Sequence, residues 1–435
     1  MKKKIELARA SIILGAIVSL AACAAVAALV LLAGEHAAAV ALFSSPFVFG
    51  PLAFGMAAAA ETATVVDHPM QHMRPHWRFV GTINGTDFGS AAKSIRLLKT
   101  GYAGMLLLRV YGSNTIAVGG STLLAKAPYF SLKDIHIQPP GGQRPHDADG
   151  WNTKMLNFKD RDFAPFITGA QAGNHTPTYV NGITRNAQSD ESFPNVAGQA
   201  NAFQLWYVTP FHRSAYDLRG ILPAEKYDID LWVTPAAVAD IFTTPANITA
   251  HSLSVDVFQQ VFDPPPADPT VGAVDTNWIF AHEQFSNQFG APAVGDNKVE
   301  LTSKGIYLDL IITLVLNALL DTTDVDQVGF RIGDNQWDTE KIDRKLWDFL
   351  QRNTTREDQP TGVIMWNFDR FVDVDGAAAK FNAHFELAMG EWFILDEDVP
   401  KAQFITHISG GVAGTTEYKA VSRRLLYTGP VAPGK

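Results

Sequence analysis

The sequence predicts an all-β fold in which one barrel is built twice in tandem, preceded by an apolar helical segment at the amino terminus. Beyond residue 79 the apolar runs are short, rich in Val, Ile, Phe, Tyr and Trp, and bounded by Gly, Pro, Asn and Asp, which is typical of strands and turns. Three sequence landmarks recur in the same order in both halves. The amino-terminal region is instead apolar and uncharged over lengths that suit a membrane helix, which needs about 20 residues.

Residues 1–66 form the segment of different composition. The basic start "MKKKIELAR" is followed by an uncharged run over 11–34 and a second over 37–60, the latter interrupted by Pro46 and Pro51. We predict a membrane-associated segment of one or two helices here, with residues 11–60 in or near a membrane. Alternatives for the second run are a kinked span, a re-entrant hairpin arm or a segment buried in protein.

A cleaved amino terminus is the competing interpretation. "LAAC", which ends at Cys23, matches a lipoprotein cleavage box, and "AAAAE" offers a second cleavage position. A mis-assigned start or a buried helix is a further alternative. Because the residues after Cys23 stay apolar, whereas a mature lipoprotein starts on a polar tether, we favour a retained segment. As the single cysteine, Cys23 also excludes a disulfide framework and a multi-cysteine zinc site.

A histidine-containing linker, "ETATVVDHPMQHMRPHWRF", follows the apolar segment. His68, His72 and His76 stand four residues apart, a spacing that would align three imidazoles for a metal on a helix. Pro69 and Pro75 interrupt such a helix. A polar linker is therefore favoured over a metal site.

Strand patterns fill the remainder of the chain, with one helical pattern among them. The predicted strands are "AGMLLLRVYG" (103–112), "PYFSLKDIHI" (128–137), "AFQLWYVTPF" (202–211), "YDIDLWVTP" (227–235), "SLSVDVFQQVF" (252–262), "YLDLIITLVL" (307–316), "VGFRIGD" (328–334), "GVIMWNFDRF" (362–371) and "AKFNAHFELAMG" (379–390). A helix is predicted over 338–353, capped by Asp338 or Thr339. Its buried stripe would consist of Ile342, Leu346, Phe349 and Leu350.

The repeat supports a duplicated barrel. "IRLLKTGYAGMLLLRV" (95–110) aligns with "VELTSKGIYLDLIITL" (299–314), and "WNTKMLN" (151–157) with "WDTEKID" (337–343). "FQLWYVTPF" (203–211) aligns with "VIMWNFDRF" (363–371), which places Trp206 over Trp366 and Phe211 over Phe371. Each match is weak alone, and their shared order carries the inference.

Domain organisation follows from this repeat. About 150 to 200 residues and seven or eight strands per copy suit an eight-stranded jelly roll. We predict an apolar segment over 1–66, a first jelly roll over 67–263 with a long loop insertion at about 143–200, and a second jelly roll with the carboxy-terminal tail over 277–435. A linker over 264–276 joins them, where three consecutive prolines form a stiff spacer.

The stretch "SAYDLRGILPAEKYDIDLWVTP" (214–235) connects two predicted strands of the first copy. Gly220 and Pro223 predict the corner between them. Asp217 and Arg219 are expected to pair locally and fix this loop. In the strand that follows, the alternation places four residues on one face, namely Tyr227, Ile229, Leu231 and Val233.

The order of these features resembles a known family. The "GY…LLLRVYG" strands, "PYFSLKDIHI", "FQLWYVTPF", "YDLRGILPAEKYDIDLWVTP" and "SLSVDVFQQVF" are similar to the first barrel of double-jelly-roll major capsid proteins from tectivirus-like icosahedral viruses with an internal membrane, and "GIYLDLIITLVL…VGFRIGDNQ…PTGVIMWNFDR" to the second. The similarity covers residues 79–422 approximately. It implies a virion capsid shell built from homotrimeric, pseudo-hexagonal capsomers that contact neighbouring capsomers, with the amino terminus at the internal membrane. The membrane-length runs depart from the family pattern and leave a membrane-anchored minor capsid protein open.

Chemical motifs yield no catalytic, cofactor-binding or metal-binding residue. Asp321, Asp324 and Asp326 lack the glycine and distal glutamate of a calcium loop, so a polar turn is favoured. "DRFVDVDG" places Asp369, Asp373 and Asp375 on a strand and turn, where a metal at a barrel rim is the less favoured interpretation. "HEQF" (282–285) lacks the second histidine of a zinc protease, and the glycine-containing segments lack a phosphate-loop lysine. We therefore predict no enzyme and no cofactor.

Net charge and aromatic content bear on partners. The formal charge of -9 has no basic block beyond residues 2–4, which disfavours direct contact with nucleic acid. The alternative function is a membrane-anchored, two-domain β-sandwich that binds carbohydrate, or a glycoside hydrolase with two facing carboxylates. A carbohydrate-binding module needs exposed aromatic side chains, whereas Trp206 and Trp366 lie in alternating strands and are expected in the core.

Overall fold

The structure of the 435-residue chain is a computed structural model. The structure describes residues 72–141, 143–159, 191–212, 218–265, 273–285, 293–301, 304–316, 319–332, 337–338, 341–355, 361–367, 393–395, 402–410 and 417–429. The apolar segment over 1–66 lies outside this set. Among the described residues, no helix is long and apolar enough to cross a membrane.

Eight strands build the first half of the described chain. They are β1 (Pro75–Ile83), β2 (Lys93–Arg96), β3 (Tyr102–Ile116), β4 (Leu132–Gln138), β5 (His146–Ala148), β6 (Ala200–Pro210), β7 (Asp230–Pro235) and β8 (Ile248–Phe262). Two helices lie between them, α1 (Gly150–Lys159) and α2 (Val238–Ile241). The alternation in β7 buries Ile229, Leu231 and Val233 as expected, whereas Tyr227, which precedes the strand, is exposed.

Eleven strands and one helix form the described part of the second half. The strands are β9 (Trp278–Phe285), β10 (Gly295–Leu301), β11 (Gly305–Leu316), β12 (Leu319–Leu320), β13 (Val325–Ile332), β14 (Trp337–Asp338), β15 (Ile342–Asp343), β16 (Val363–Asn367), β17 (Phe393–Leu395), β18 (Ala402–Ile408) and β19 (Glu417–Tyr427). The helix, α3, spans Arg344–Thr355.

Strand order is the same in both halves. In the first half one sheet has the order β1-β8-β3-β6, and a second runs β5-β4-β7-β2. In the second half the corresponding orders are β9-β19-β11, with β16 on the far side of β11, and β10-β18-β13, with β14 and β15 on β13. Two facing four-stranded sheets with this connectivity make a jelly roll. The all-β prediction of two tandem eight-stranded barrels is confirmed.

The strongest repeat landmark is also confirmed in structural terms. Residues 95–110 supply β2 and β3, and residues 299–314 supply β10 and β11, the equivalent strands. Gly101 and Gly305 stand before the second strand of each pair with φ of 51° and 138°, a region that favours glycine. The shared backbone requirement explains why glycine occurs at both positions.

The alignment of 203–211 with 363–371, which places Trp206 over Trp366, identifies equivalent strands but gives the wrong register. Trp206 lies on β6 beside β3, and Trp366 on β16 beside β11. When 95–110 is aligned with 299–314, Leu310, the partner of Trp366, falls on Leu106, whose partner is Thr209. The equivalence is therefore shifted by an odd number of positions, which reverses the face of the sheet. Trp366 is buried as expected, but Trp206 is half-buried on the outer face.

The helix predicted over 338–353 begins later than expected and buries a different face. Residues 342–343 belong to β15, and Asp343 caps α3 by accepting hydrogen bonds from the backbone N–H of Lys345 (2.8 Å) and Leu346 (3.2 Å). Leu346 and Phe349, expected inside, are 50% and 55% exposed, whereas Trp347 is buried. The predicted match of residues 151–157 with 337–343 is also displaced. Residues 151–157 lie in α1, whose counterpart is α3, and residues 337–343 precede that helix.

The stretch 143–200, expected to be an inserted loop, contains β5 and α1 in its first part. Asp149 starts α1 by accepting a hydrogen bond from the Asn152 N–H at 2.7 Å. The side chains of Trp151, Met155 and Leu156 in α1 are buried in the core of the first jelly roll. Residues 160–190 lie outside the described residues.

Candidate functional site at the junction of the two jelly rolls

The two jelly rolls are joined edge to edge. Strand β5 of the first pairs in parallel with β9 of the second, with His146 beside His282 and Asp147 beside Glu283. The His282 N–H donates to the Pro145 carbonyl at 2.9 Å. Through this pair, the sheet β5-β4-β7-β2 continues into β9-β19-β11-β12. With β16 and β17, which also pair with β11, the whole forms one ten-stranded sheet.

A pair of buried imidazoles lies at this join. The Nδ1 atoms of His146 and His282 are 3.0 Å apart, and His146 Nε2 lies 3.0 Å from Thr153 Oγ1. The Thr153 hydroxyl donates to the Asp149 carbonyl at 2.8 Å, so it accepts from His146 Nε2–H. His146 Nδ1 is then an acceptor, and His282 Nδ1–H is the donor between the rings. Both imidazoles are neutral in this arrangement.

Burial sets the protonation of the pair. It lowers the pKa of His146 to about 3, with His136 as a second, electrostatic cause. Burial also lowers the pKa of His282 well below its usual value, and electrostatic interaction with His146 and Arg423 acts in the same direction. A proton on either ring would be an unpaired charge in a low-dielectric interior. The join is therefore neutral at physiological pH.

Helix α1 carries further polar contacts across the join. The Asp149 N–H donates to Gln284 Oε1 at 2.7 Å, and the Trp151 Nε1–H donates to Thr313 Oγ1 at 2.9 Å. Trp151 is fully buried and Thr313 is nearly so. Because these groups are removed from water, each hydrogen bond fixes the position of α1 on the second jelly roll.

A cluster of charges closes one side of the junction. Glu417 on β19 pairs with Lys126 at 2.8 Å and with Lys419 at 2.6 Å. Burial raises the pKa of Glu417, but the two lysines outweigh it and the net shift is downward. Burial raises the pKa of Asp149, the helix cap, whose Oδ2 is 4.0 Å from Lys419 Nζ. Lys126 and Lys419 also lie over the Phe130 ring, at 4.1 and 5.6 Å.

The corner at Gly220 packs on the second jelly roll. Gly220 has φ of 99°, and a Cβ there would lie 2.5 Å from the Phe211 carbonyl oxygen and 2.6 Å from the Phe280 backbone nitrogen. The Arg219 guanidinium lies over the Trp278 ring at 5.5 Å. The corner prediction is confirmed at Gly220, and its neighbours contact β9. The expected partner Asp217 lies outside the described residues.

Strand β11 is buried on both faces by this arrangement. Leu310, Ile312 and Leu314 belong to the core of the second jelly roll. Ile311 belongs instead to the core cluster of the first jelly roll, together with Val363, Met365 and Val421 of the neighbouring strands. The outer face of the sheet β9-β19-β11 is therefore covered by the first jelly roll.

The residues singled out in the sequence do not assemble into a site. His76 lies on β1, its Nε2 3.8 Å from Asp263 Oδ1, and His68 is outside the described residues. Asp321 accepts a hydrogen bond from the Thr323 N–H at 2.7 Å within a turn, and Asp326 pairs with His407 at 2.6 Å.

The described ranges contain no group of three or more His, Cys, Asp or Glu placed to hold a metal. The candidate rim carboxylates Asp369, Asp373 and Asp375 lie beyond those ranges.

Sequence reasoning missed His146 and His282 as a pair. In the sequence, His282 stands in a segment that lacks the second histidine of a zinc protease, and His146 lies in a stretch predicted to be an inserted loop. The two residues are 136 positions apart. The detectable signal is a histidine in the first strand of one repeat and in the fifth strand of the other, which become neighbours once the sheet order is known.

Comparison with known proteins reveals similarity of fold alone. No protein-family model and no curated protein matches this chain. A chain of the atomic structure of Sulfolobus Turreted Icosahedral Virus is similar with a TM-score of 0.55 and 9% identity, over 81% of this chain and 91% of that chain. The crystal structure of the STIV MCP is similar with a TM-score of 0.53 and 9% identity, over 81% of this chain and 97% of that chain. A chain of the PBCV-1 virus capsid is similar with a TM-score of 0.51 and 10% identity, over 81% of this chain and 93% of that chain.

These similarities confirm the resemblance to double-jelly-roll capsid proteins at the level of the fold. The matched length covers both barrels and almost the whole of each compared chain. Identities of 9–10% explain why the resemblance in sequence was limited to strand order and a few phrases.

Proposed function

We propose that this chain is a structural protein of an icosahedral virus capsid shell. The observation that carries the proposal is the ten-stranded sheet that joins the two jelly rolls through β5 and β9. Buried polar and apolar contacts join the two barrels along this sheet. A subunit with two barrels joined in this way suits a capsid shell.

The finer architecture belongs to the same proposal. Three copies would form a pseudo-hexagonal homotrimer, so that six jelly rolls surround one axis, and the trimers would contact neighbouring capsomers and other capsid proteins. The first jelly roll would occupy 67–263 and the second 277–435, joined by the linker at 264–276. Residues 11–60 would hold the inner side of the shell in or near the internal membrane, because their uncharged length suits a helix in lipid.

A structural role is proposed in preference to an enzymatic one. The buried titratable groups of the junction are enclosed by both jelly rolls, and His146, Asp149 and His282 are each less than 3% exposed. A substrate has no access to them in this arrangement. Their polar atoms instead form hydrogen bonds that join α1 and β5 to β9, which is a structural role.

The experiment is to express the full chain in mild detergent and measure its mass by light scattering, with the detergent contribution subtracted. We expect a stable species of three chains, each of 47.3 kDa. A glycan array run on the same sample tests the carbohydrate-binding alternative. A monomer that binds glycans would contradict the capsid proposal.

A further inference from the structure

An Asn-Gly pair forms the turn that follows β1. Asn84 and Gly85 come directly after Ile83, the last residue of the strand, and Asn84 is exposed. Gly85 has φ of 67°, in the left-handed region that glycine adopts readily, and Asn-Gly is typical of tight turns. A Cβ at Gly85 would have nothing within 4 Å. The pair therefore lies in an open turn with room around its backbone.

The side-chain amide of Asn84 is not held by hydrogen bonds to the fold. No described residue forms a hydrogen bond with this amide or with the Gly85 N–H. The side chain is therefore free to exchange among its rotamers, including those that bring Cγ towards the Gly85 nitrogen. Because glycine has no Cβ, residue 85 has no side chain that shields its nitrogen from this approach.

Other asparagines of the described ranges lack one of these two properties. Asn297 Nδ2 donates to the Ala293 carbonyl at 2.7 Å, and its Oδ1 accepts from the Ala293 N–H at 2.9 Å, so this amide is fixed. Asn277 is exposed, but the bulky Trp278 follows it. A second Asn-Gly pair, at 181–182, lies outside the described residues. Within the described ranges, an unrestrained amide and a following glycine occur together at Asn84.

We propose that Asn84 is a deamidation site, at which the side chain is converted through a succinimide to aspartate and isoaspartate. Asparagine is one of the thermolabile residues of proteins. The Gly85 nitrogen forms a bond to Asn84 Cγ, and the side-chain nitrogen leaves as ammonia, taking up the proton of the Gly85 N–H.

Water then opens the succinimide ring in one of two ways. Cleavage of the bond between nitrogen and Cγ gives aspartate with an ordinary backbone. Cleavage of the bond between nitrogen and the Asn84 backbone carbonyl carbon gives isoaspartate, in which the chain continues through the side chain. Water is the sole co-reactant, and no atom is oxidised or reduced.

The reaction changes both the charge and the backbone of this turn. Each conversion makes the chain one unit more negative, and isoaspartate adds a methylene group to the main chain. Residues on both sides of the turn are held to β8. The Thr82 hydroxyl donates to Asp256 Oδ1 at 2.7 Å, and the Thr86 hydroxyl donates to the Leu253 carbonyl at 3.0 Å. We therefore expect the change to stay within the turn and to leave the barrel folded.

Peptide mapping of the full-length chain in mild detergent tests the site. The protein is incubated for days in mildly alkaline buffer prepared with water enriched in heavy oxygen, then digested and analysed by mass spectrometry. We expect the peptide that contains Asn84 to convert with time into two separable products, aspartate and isoaspartate, each carrying heavy oxygen. Labelling by an isoaspartate methyltransferase identifies the second product. The peptides that contain Asn277 and Asn297 are internal controls and should keep their amides.

Gly85→Ala provides a second measurement. The added methyl group crowds the attacking nitrogen, so conversion at Asn84 should fall to the level of Asn277. The open space around residue 85 accommodates this methyl group, and circular dichroism verifies that the variant is folded.

Three results would overturn the inference. They are an Asn84 peptide that keeps its amide, equal conversion at Asn84 and Asn277, and conversion to aspartate without isoaspartate, which indicates direct hydrolysis. All three are read from the wild-type chain and hold whether or not Gly85→Ala folds. The reaction is intramolecular and needs no second copy, so its outcome is separate from the test of the proposed function.

Discussion

His146 and His282 meet across the join between the two jelly rolls with their Nδ1 atoms 3.0 Å apart, one ring donating to the other. The rings are nearly perpendicular, with an interplanar angle of 80°. Because the pair is enclosed by both barrels, its protonation state and the integrity of the join are linked.

Acid should weaken the folded chain through this pair. The folded-state pKa of His146 is lowered from 6.5 to about 3, so between these values the unfolded chain binds a proton that the folded chain does not. Stability is therefore full above pH 6.5 and falls as the pH decreases, by up to about 1.4 kcal/mol per pH unit for each such histidine. Urea unfolding measured from neutral pH to pH 5 gives this slope.

Two variants identify the source of the slope. His282→Gln removes one of the two titrating rings and should reduce the loss of stability per pH unit, whatever its effect at neutral pH. His407→Gln is the control, because His407 is exposed and pairs with Asp326 away from the junction. Equal slopes for wild type and His282→Gln would refute the assignment.

Gly220→Ala should destabilise the chain more than Gly141→Ala. The two glycines have similar φ values, 99° and 109°, so both substitutions incur backbone strain of about 1–2 kcal/mol. A Cβ at Gly141 has nothing within 4 Å, whereas one at Gly220 collides with Phe211 and Phe280. We expect a further 1–3 kcal/mol for Gly220→Ala, approximately, from this overpacking. Equal unfolding free energies for the two variants would show that the corner at Gly220 does not pack tightly against β9.

Lys154→Met should cost about 3–5 kcal/mol, because it leaves Glu191 as a buried charge without its counterion. Lys154 Nζ lies 2.7 Å from Glu191 Oε1, and both side chains are at most 2% exposed. Lys341→Met is the control, since its pair with Asp296 is about one-third exposed and worth about 1 kcal/mol or less. Chemical denaturation of the two variants measures the difference, and similar losses would contradict this view of the buried pair.

Asp149→Ala should cost about 0.5–2 kcal/mol through loss of the α1 cap. Asp149→Asn should retain most of that stability, because an amide oxygen can accept the same hydrogen bond from Asn152. Thermal unfolding of both variants tests the point. A loss as large in Asp149→Asn as in Asp149→Ala would indicate that the negative charge near Lys419 matters more than the cap.

Local patterns were sufficient to predict the fold. Alternating strands, glycines before the second strand of each copy and the order of landmarks depend on neighbouring residues, and they identified two barrels whose equivalent strands are β2 with β10 and β3 with β11. The position of Trp206 was wrong because register depends on pairing with β3, and an odd shift in register exchanges the two faces of a strand.

Sequence patterns did not predict the junction between the two jelly rolls. His146 and His282 come together through the parallel pairing of β5 and β9, which no local periodicity encodes. The exposure of Leu346 and Phe349 was missed for a related reason. An apolar stripe on a helix predicts a buried face, but among the described residues the buried face of α3 carries Trp347 instead.

Negative-stain imaging of the full chain, purified in detergent, tests the central claim most directly. A capsid subunit that forms the proposed pseudo-hexagonal trimer should give class averages with three chains and a six-lobed, hexagonal outline. Averages that display isolated two-lobed particles, at concentrations where light scattering also reports a single chain, would contradict the account.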